Sequence, residues 1–218
     1  MTIDPENLLE SIMESLERIP DIPLSELPNI DLYMDQLTTF MEERLSHTTR
    51  HPEEGRVLTK TMINNYAKND LLPPPVKKKY SKDHLILLLF IYYFKNIMSI
   101  NDIHTLLEPL RERFQADDKD AFSLSDIYTE ISELEGSLLD PAKEDIRSKM
   151  EKAERSFVDA PREYRDSMRM FAFISMLAYD VYIKKLLIEK MIDGLKEPEK
   201  AEAGKKHAEK HTERRKKG

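Results

Sequence analysis

Only five of the 218 residues are glycine, and that scarcity argues against sheet-rich architectures, whose many tight turns need glycine. Charged residues make up 34% of the chain, and apolar side chains recur at helical rather than alternating spacing, so an all-α fold is expected. The length suffices for one large domain or two small ones with a real core. There is no cysteine, which excludes disulfides and thiolate metal sites and permits a reducing compartment. Met1–Glu10 lacks the basic start and apolar run of a secretory signal. The most apolar stretch, Phe171–Tyr179, is far shorter than the ~20 residues that span a bilayer. The expectation is a soluble, cytoplasmic protein with no membrane partner.

Asp4-Pro5 reads as a cap and first-turn proline for an amphipathic helix over 5–17. Three prolines then break the chain before a helix capped by Asp31 and running from Leu32 to Leu45. Residues 46–58 read as a loop, and Thr59 or Thr61 starts a short helix ending near Asn69. Pro73-Pro74-Pro75 forces an extended turn. Ser81 caps the next helix, and Ser99-Ile-Asn-Asp102 opens another that ends near Pro109. Further helices are expected over about 124–135, from the Asp140-Pro141 cap to about 157, and from near Pro161 to Gly194. The last is apolar on most faces, so it should be buried in its own core or in a dimer interface. Three regions follow. Residues 1–108 form an N-terminal helix plus a first domain, 109–195 an all-α dimerisation or effector region, and 196–218 a disordered charged tail, since the tail has almost no large apolar side chain.

The formal net charge is −7, but it is unevenly placed. Residues 1–55 hold 13 acids and three bases, whereas 56–84 hold seven bases and two acids. A basic island in an acidic chain is informative because fields act locally. The island lies in Thr59–Leu107, which reads as short helix, proline turn, three lysines with a tyrosine, long helix, Ser-capped helix.

That succession resembles the MerR-type winged helix-turn-helix. Tyr66 matches the tyrosine of the family's recognition helix, Leu71-Leu72-Pro73 its turn, and Lys77-Lys78-Lys79-Tyr80 its basic wing. Ser81–Phe94 and the segment with Ser99, Ile103 and Leu107 resemble the two helices that follow, and the Asp31–Leu45 helix would be the first of the motif. Met62–Tyr80 is also similar to a bacterial family described as a domain of unknown function and thought to contain regulators. The resemblance implies a sequence-specific DNA-binding transcription regulator. This chain departs from the MerR pattern at Asn64, where an arginine is usual, at Asn65, where an aromatic is usual, and at Asp70, where the turn glycine is usual.

The chemistry of the residues fits that role. Lys60, Thr61, Asn64 and Asn65 fall in the first turns of the short helix, and asparagine can pair with adenine through two hydrogen bonds. Lys68, Lys77, Lys78, Lys79 and Lys82 would neutralise phosphates, which sets affinity and register. Tyr80 could stack or donate to a phosphate. Tyr66 joins the contact set, although packing is the commoner role for such a tyrosine. Double-stranded DNA and a second copy of the chain are the expected partners, with Ile174, Leu177 and Val181 of the last helix at the dimer contact. A small-molecule effector is a further candidate partner. The alternative is a protein-interaction adaptor that keeps the fold without DNA binding, motivated by the acidic chain and by Asn64. No nucleophile, phosphate loop or acid–base constellation points to an enzyme, and no cofactor is expected. His47 and His51 have metal-pair spacing but no third ligand nearby, and Asp117, Asp118 and Asp120 read as a solvated linker.

Overall fold

The computed structural model describes residues 5–17, 22–49, 57–115 and 122–216. Asp4, His51 and the acidic run 116–120, for which the sequence raised expectations, lie outside them. Within them the chain is all-α apart from one two-stranded ribbon. The helices are α1 (Pro5–Glu17), α2 (Met34–Leu45), α3 (Lys60–Lys68), α4 (Lys82–Phe94), α5 (Ile100–Gln115), α6 (Leu124–Gly136), α7 (Leu139–Glu154) and α8 (Arg162–Lys216). Strand β1 (Leu32–Tyr33) pairs antiparallel with β2 (Lys79–Tyr80), setting Leu32 opposite Tyr80 and Tyr33 opposite Lys79. No described helix is long and apolar enough to cross a membrane.

The centre of the molecule is α4. Every residue from Leu85 to Ile91 is at most 4% exposed, as a helix apolar on all faces requires. Around it gather Leu37, Met41 and Leu45 of α2, Ile63 and Tyr66 of α3, Ile103 and Leu107 of α5, and Leu124 and Tyr128 of α6, in one core that begins at Ile22. This core takes in α6 and so crosses the boundary expected at residue 108. Pro109 also lies inside α5 rather than at its end. Ile103 and Leu107 before the proline are buried and Leu110 after it packs on the same core, so packing carries the helix through the lost backbone hydrogen bond.

A second, smaller core joins Met150 and Ala153 of α7 to Phe173 of α8, with Leu9 and Ile12 of α1 packed on it. Lys143 of α7 also donates to Glu17 of α1 at 3.0 Å. The N-terminal helix, grouped by chain order with the first domain, therefore packs with the C-terminal hairpin. Farther along, α8 returns to the first core, where Lys196 donates to Asp102 of α5 at 2.7 Å. The backbone of the charged segment beyond residue 196 continues α8 to Lys216. Its Ala, Glu and Lys content suits a helix even though it lacks an apolar face.

Candidate nucleic-acid interface

Helix α3 is short, so its ends are fixed from outside. At the start, Thr59 is the cap and its hydroxyl accepts from the Met62 N–H at 3.2 Å. Just before it, Val57 is held at both polar atoms: its N–H donates to Glu42 of α2 at 2.9 Å, and its carbonyl accepts from Lys95, just after α4, at 3.1 Å. Lys95 also lies 4.7 Å from the centre of the Tyr92 ring, and its burial pushes its pKa down. Glu42 and Lys95 thus position the entry to α3. Sequence reasoning missed both, because their partner is a main-chain group 15 residues from one and 38 from the other.

At the other end, Asp70 sits at φ 54°. The Leu71 N–H bonds the Tyr66 carbonyl at 2.9 Å and the Asp70 N–H bonds the Ala67 carbonyl at 3.3 Å. This is a Schellman cap whose left-handed residue is usually glycine. Asp70→Gly should therefore stabilise the fold by about 0.5–1 kcal/mol. Urea unfolding that showed no gain would mean the cap carries no strain.

Between these ends, α3 divides cleanly. Ile63 and Tyr66 point inward at 0% and 6% exposure. Lys60, Thr61, Asn64, Asn65 and Lys68 are all exposed, and the five cover about 140° of arc at 100° per residue.

The lysine run forms a tight hairpin. Val76 and Lys79 exchange N–H···O bonds of 3.0 and 2.9 Å, leaving Lys77 and Lys78 as the two turn residues at φ 51° and 66°. Two successive positive φ angles make the turn type that suits a right-twisted hairpin, normally filled by Asn-Gly. Here two exposed lysines occupy it. The hairpin and the start of α3 converge on one segment. Lys79 Nζ lies 5.2 Å from the centre of the Tyr33 ring, Lys60 pairs with Asp35 two residues on, and Lys82 donates to Asn29 at 3.3 Å. The Lys60–Asp35 pair is exposed on both sides, so it contributes little and exchanges readily with another anion.

Two residues expected to touch DNA are buried instead. Tyr66 is 6% and Tyr80 4% exposed, and burial raises the pKa of both hydroxyls. Tyr80 lies on the inner face of the ribbon, opposite Leu32 and edge-on to His84 at 5.4 Å. Neither ring is placed to reach DNA directly; they fix α3 and the hairpin from beneath.

His84 supports the same corner. It is 1% exposed, and its Nδ1 accepts from the Ser81 N–H at 3.0 Å, which puts the ring proton on Nε2. Burial lowers its pKa below 6.5, against the opposing pull of the Pro74 and Pro73 backbone and of Asp31. The unfolded chain therefore binds the proton more readily. Stability from neutral His84 is present above pH 6.5 and is lost as pH falls through the lower folded-state value. Thermal melts between pH 8 and 5 should show that decline, and His84→Asn should flatten it. An unchanged profile in the variant would assign the decline elsewhere.

Of the residues expected at the dimer contact, Ile174 and Val181 are 56% and 62% exposed, while Leu177 packs on the α7 cluster of its own chain. Among the described residues no group of His, Asp or Glu could hold a metal ion. A family model described as Domain of unknown function (DUF1836) matches residues 22–131. Those limits enclose the first core, α3 and the lysine hairpin. No curated protein and no solved structure matches the chain.

Proposed function

The chain belongs to the DUF1836 family, and from the surface built on that domain we propose a sequence-specific DNA-binding transcription regulator of the MerR-like winged helix-turn-helix kind. The carrying observation is the joint placement of two basic elements. The exposed face of α3 and the lysine hairpin both close on residues 29–35. In this reading α3 enters the major groove with Asn64 and Asn65 at base edges, and the hairpin is the wing on the phosphate backbone. Lys60, Lys68, Lys77, Lys78, Lys79 and Lys82 supply the charge.

A nine-residue reading helix offers few base contacts, so the active species is a homodimer on a two-fold site. The contact is the uncovered face of α8. Tyr164, Met168, Phe171, Tyr182 and Leu186 are between 37% and 64% exposed and fall within about 60° of arc. An uncovered apolar stripe of this length is rare on a monomer.

The test is selection from a random duplex library, followed by anisotropy titrations of the enriched and scrambled duplexes over a salt series. A recovered two-fold motif is expected, with a log–log salt slope of roughly −4 to −9 for about 5–10 neutralised phosphates. No enrichment and no binding at low salt would overturn the reading. It would favour the adaptor alternative, to which the acidic chain and Asn64, where an arginine is usual, lend support.

A further inference from the structure

We propose that Arg111 of α5 is a positioning residue for the reading helix: it fixes the C-terminal end of α3 so that Asn64 and Asn65 meet base edges in register. The assignment rests on the DNA-binding reading of α3. A nine-residue helix is too short to hold its own geometry in water, and base-edge hydrogen bonds tolerate only small displacements of the groups that make them. Glu42 and Lys95 fix the entry through Val57. At the exit, Nη1 of Arg111 donates to the main-chain carbonyl of Asp70, the left-handed residue that closes α3. Carbonyls at a helix C-terminus carry partial negative charge, so a cation suits that place.

Arg111 reaches α3 from a fixed base. Ile103 and Leu107 seat α5 in the first core, and Asp102 ties its first turn to Lys196 of α8. The guanidinium itself is held at two points. Its second terminal nitrogen, Nη2, lies 3.1 Å from Nε2 of His104, seven residues earlier on α5 and so two turns back on the same face. A guanidinium only donates, so Nε2 accepts and the ring proton sits on Nδ1. His104 therefore orients the fork and leaves Nη1 aimed at Asp70. Because the acceptor on α3 is a main-chain oxygen, the brace does not depend on the Asp70 side chain.

Arg111→Met, which keeps the stem and removes every donor, tests the assignment on the full chain. The affinity ratio between enriched and scrambled duplexes should fall about tenfold, the discrimination carried by one base-edge pair. Affinity for the scrambled duplex should stay within about twofold, and its salt slope should not change. His104→Leu leaves the Arg111 charge in place and should still lower the ratio. His104→Gln, which keeps an acceptor, should restore much of it, and the double variant Arg111→Met/His104→Leu should be no worse than Arg111→Met alone. In the free protein, hydrogen exchange at the Asp70 and Leu71 amides should quicken roughly tenfold in Arg111→Met while the Leu88 amide keeps its protection. Equal weakening on both duplexes with a slope shallower by about 0.9 would make Arg111 a phosphate contact and overturn the proposal. An unchanged ratio, or unchanged exchange at Asp70 and Leu71, would overturn it as well. Failure of the DNA reading is read separately, because the parent chain would then discriminate between no duplexes, and the proposal would fall with it.

Discussion

Lys77→Asn/Lys78→Gly should melt about 4–8 °C higher than the parent while binding DNA roughly 10- to 100-fold more weakly at ~0.1 M salt. The two effects come from the same two residues. Both have left-handed backbone, at φ 51° and 66°, and such a conformation costs a lysine about 1–2 kcal/mol. Asn-Gly fits that turn without the penalty. The substitution also removes two exposed cations per protomer from the tip of the hairpin, and every phosphate left without its cation makes the salt slope shallower by about 0.9. Differential scanning calorimetry reads the first effect and a salt-series titration the second. Higher stability with unchanged affinity would detach the hairpin from DNA; lower stability would mean the turn is not strained.

Phe171→Glu/Tyr182→Glu should halve the mass seen by light scattering, to the 25.6 kDa of one chain. It should leave the helical circular dichroism intact and weaken binding to a two-fold site about 10²–10³-fold. Both side chains are at least 60% exposed, so within one chain they lose little on substitution. In a dimer each charge would be buried against its own copy without a partner. The DNA effect follows because two linked reading helices bind far more tightly than one. Leu177→Glu is the wrong probe, since Leu177 packs on the Met150 cluster and its removal would damage the α7–α8 packing itself. A variant that remains dimeric would move the interface off this face of α8.

The short-range features were legible because local rules govern them. Thr59 caps α3 through its own side chain, the proline triplet ends the region after α3, and Asp70 takes the left-handed position that its place in the turn motif requires. The lysine hairpin could be located in the chain, but its turn could not be typed, because nothing in Lys-Lys announces two positive φ angles.

Other expectations yielded to contacts distant in sequence. Leu32 and Tyr33, read as the first turn of a helix begun at Asp31, became a strand because β2 offers them a pairing edge. Tyr66 and Tyr80 sit on faces that only the packing of α4 turns inward. Burial of the last helix was the reverse case. Both α4 and α8 are rich in apolar residues, yet α4 is enclosed along Leu85–Ile91, while Phe171, Tyr179 and Tyr182 of α8 are 60–65% exposed.

The amino-acid sequence by itself determined the helical class, most helix limits and the basic island. These depend on glycine scarcity, caps and periodicity, which act within a few residues. Only the tertiary structure decided which apolar helix became the centre, which lysines share one segment, and that Glu42 and Lys95 hold the entry to α3. Each of those outcomes depends on groups brought together across tens of residues, and such contacts form only when several helices have already found a common core.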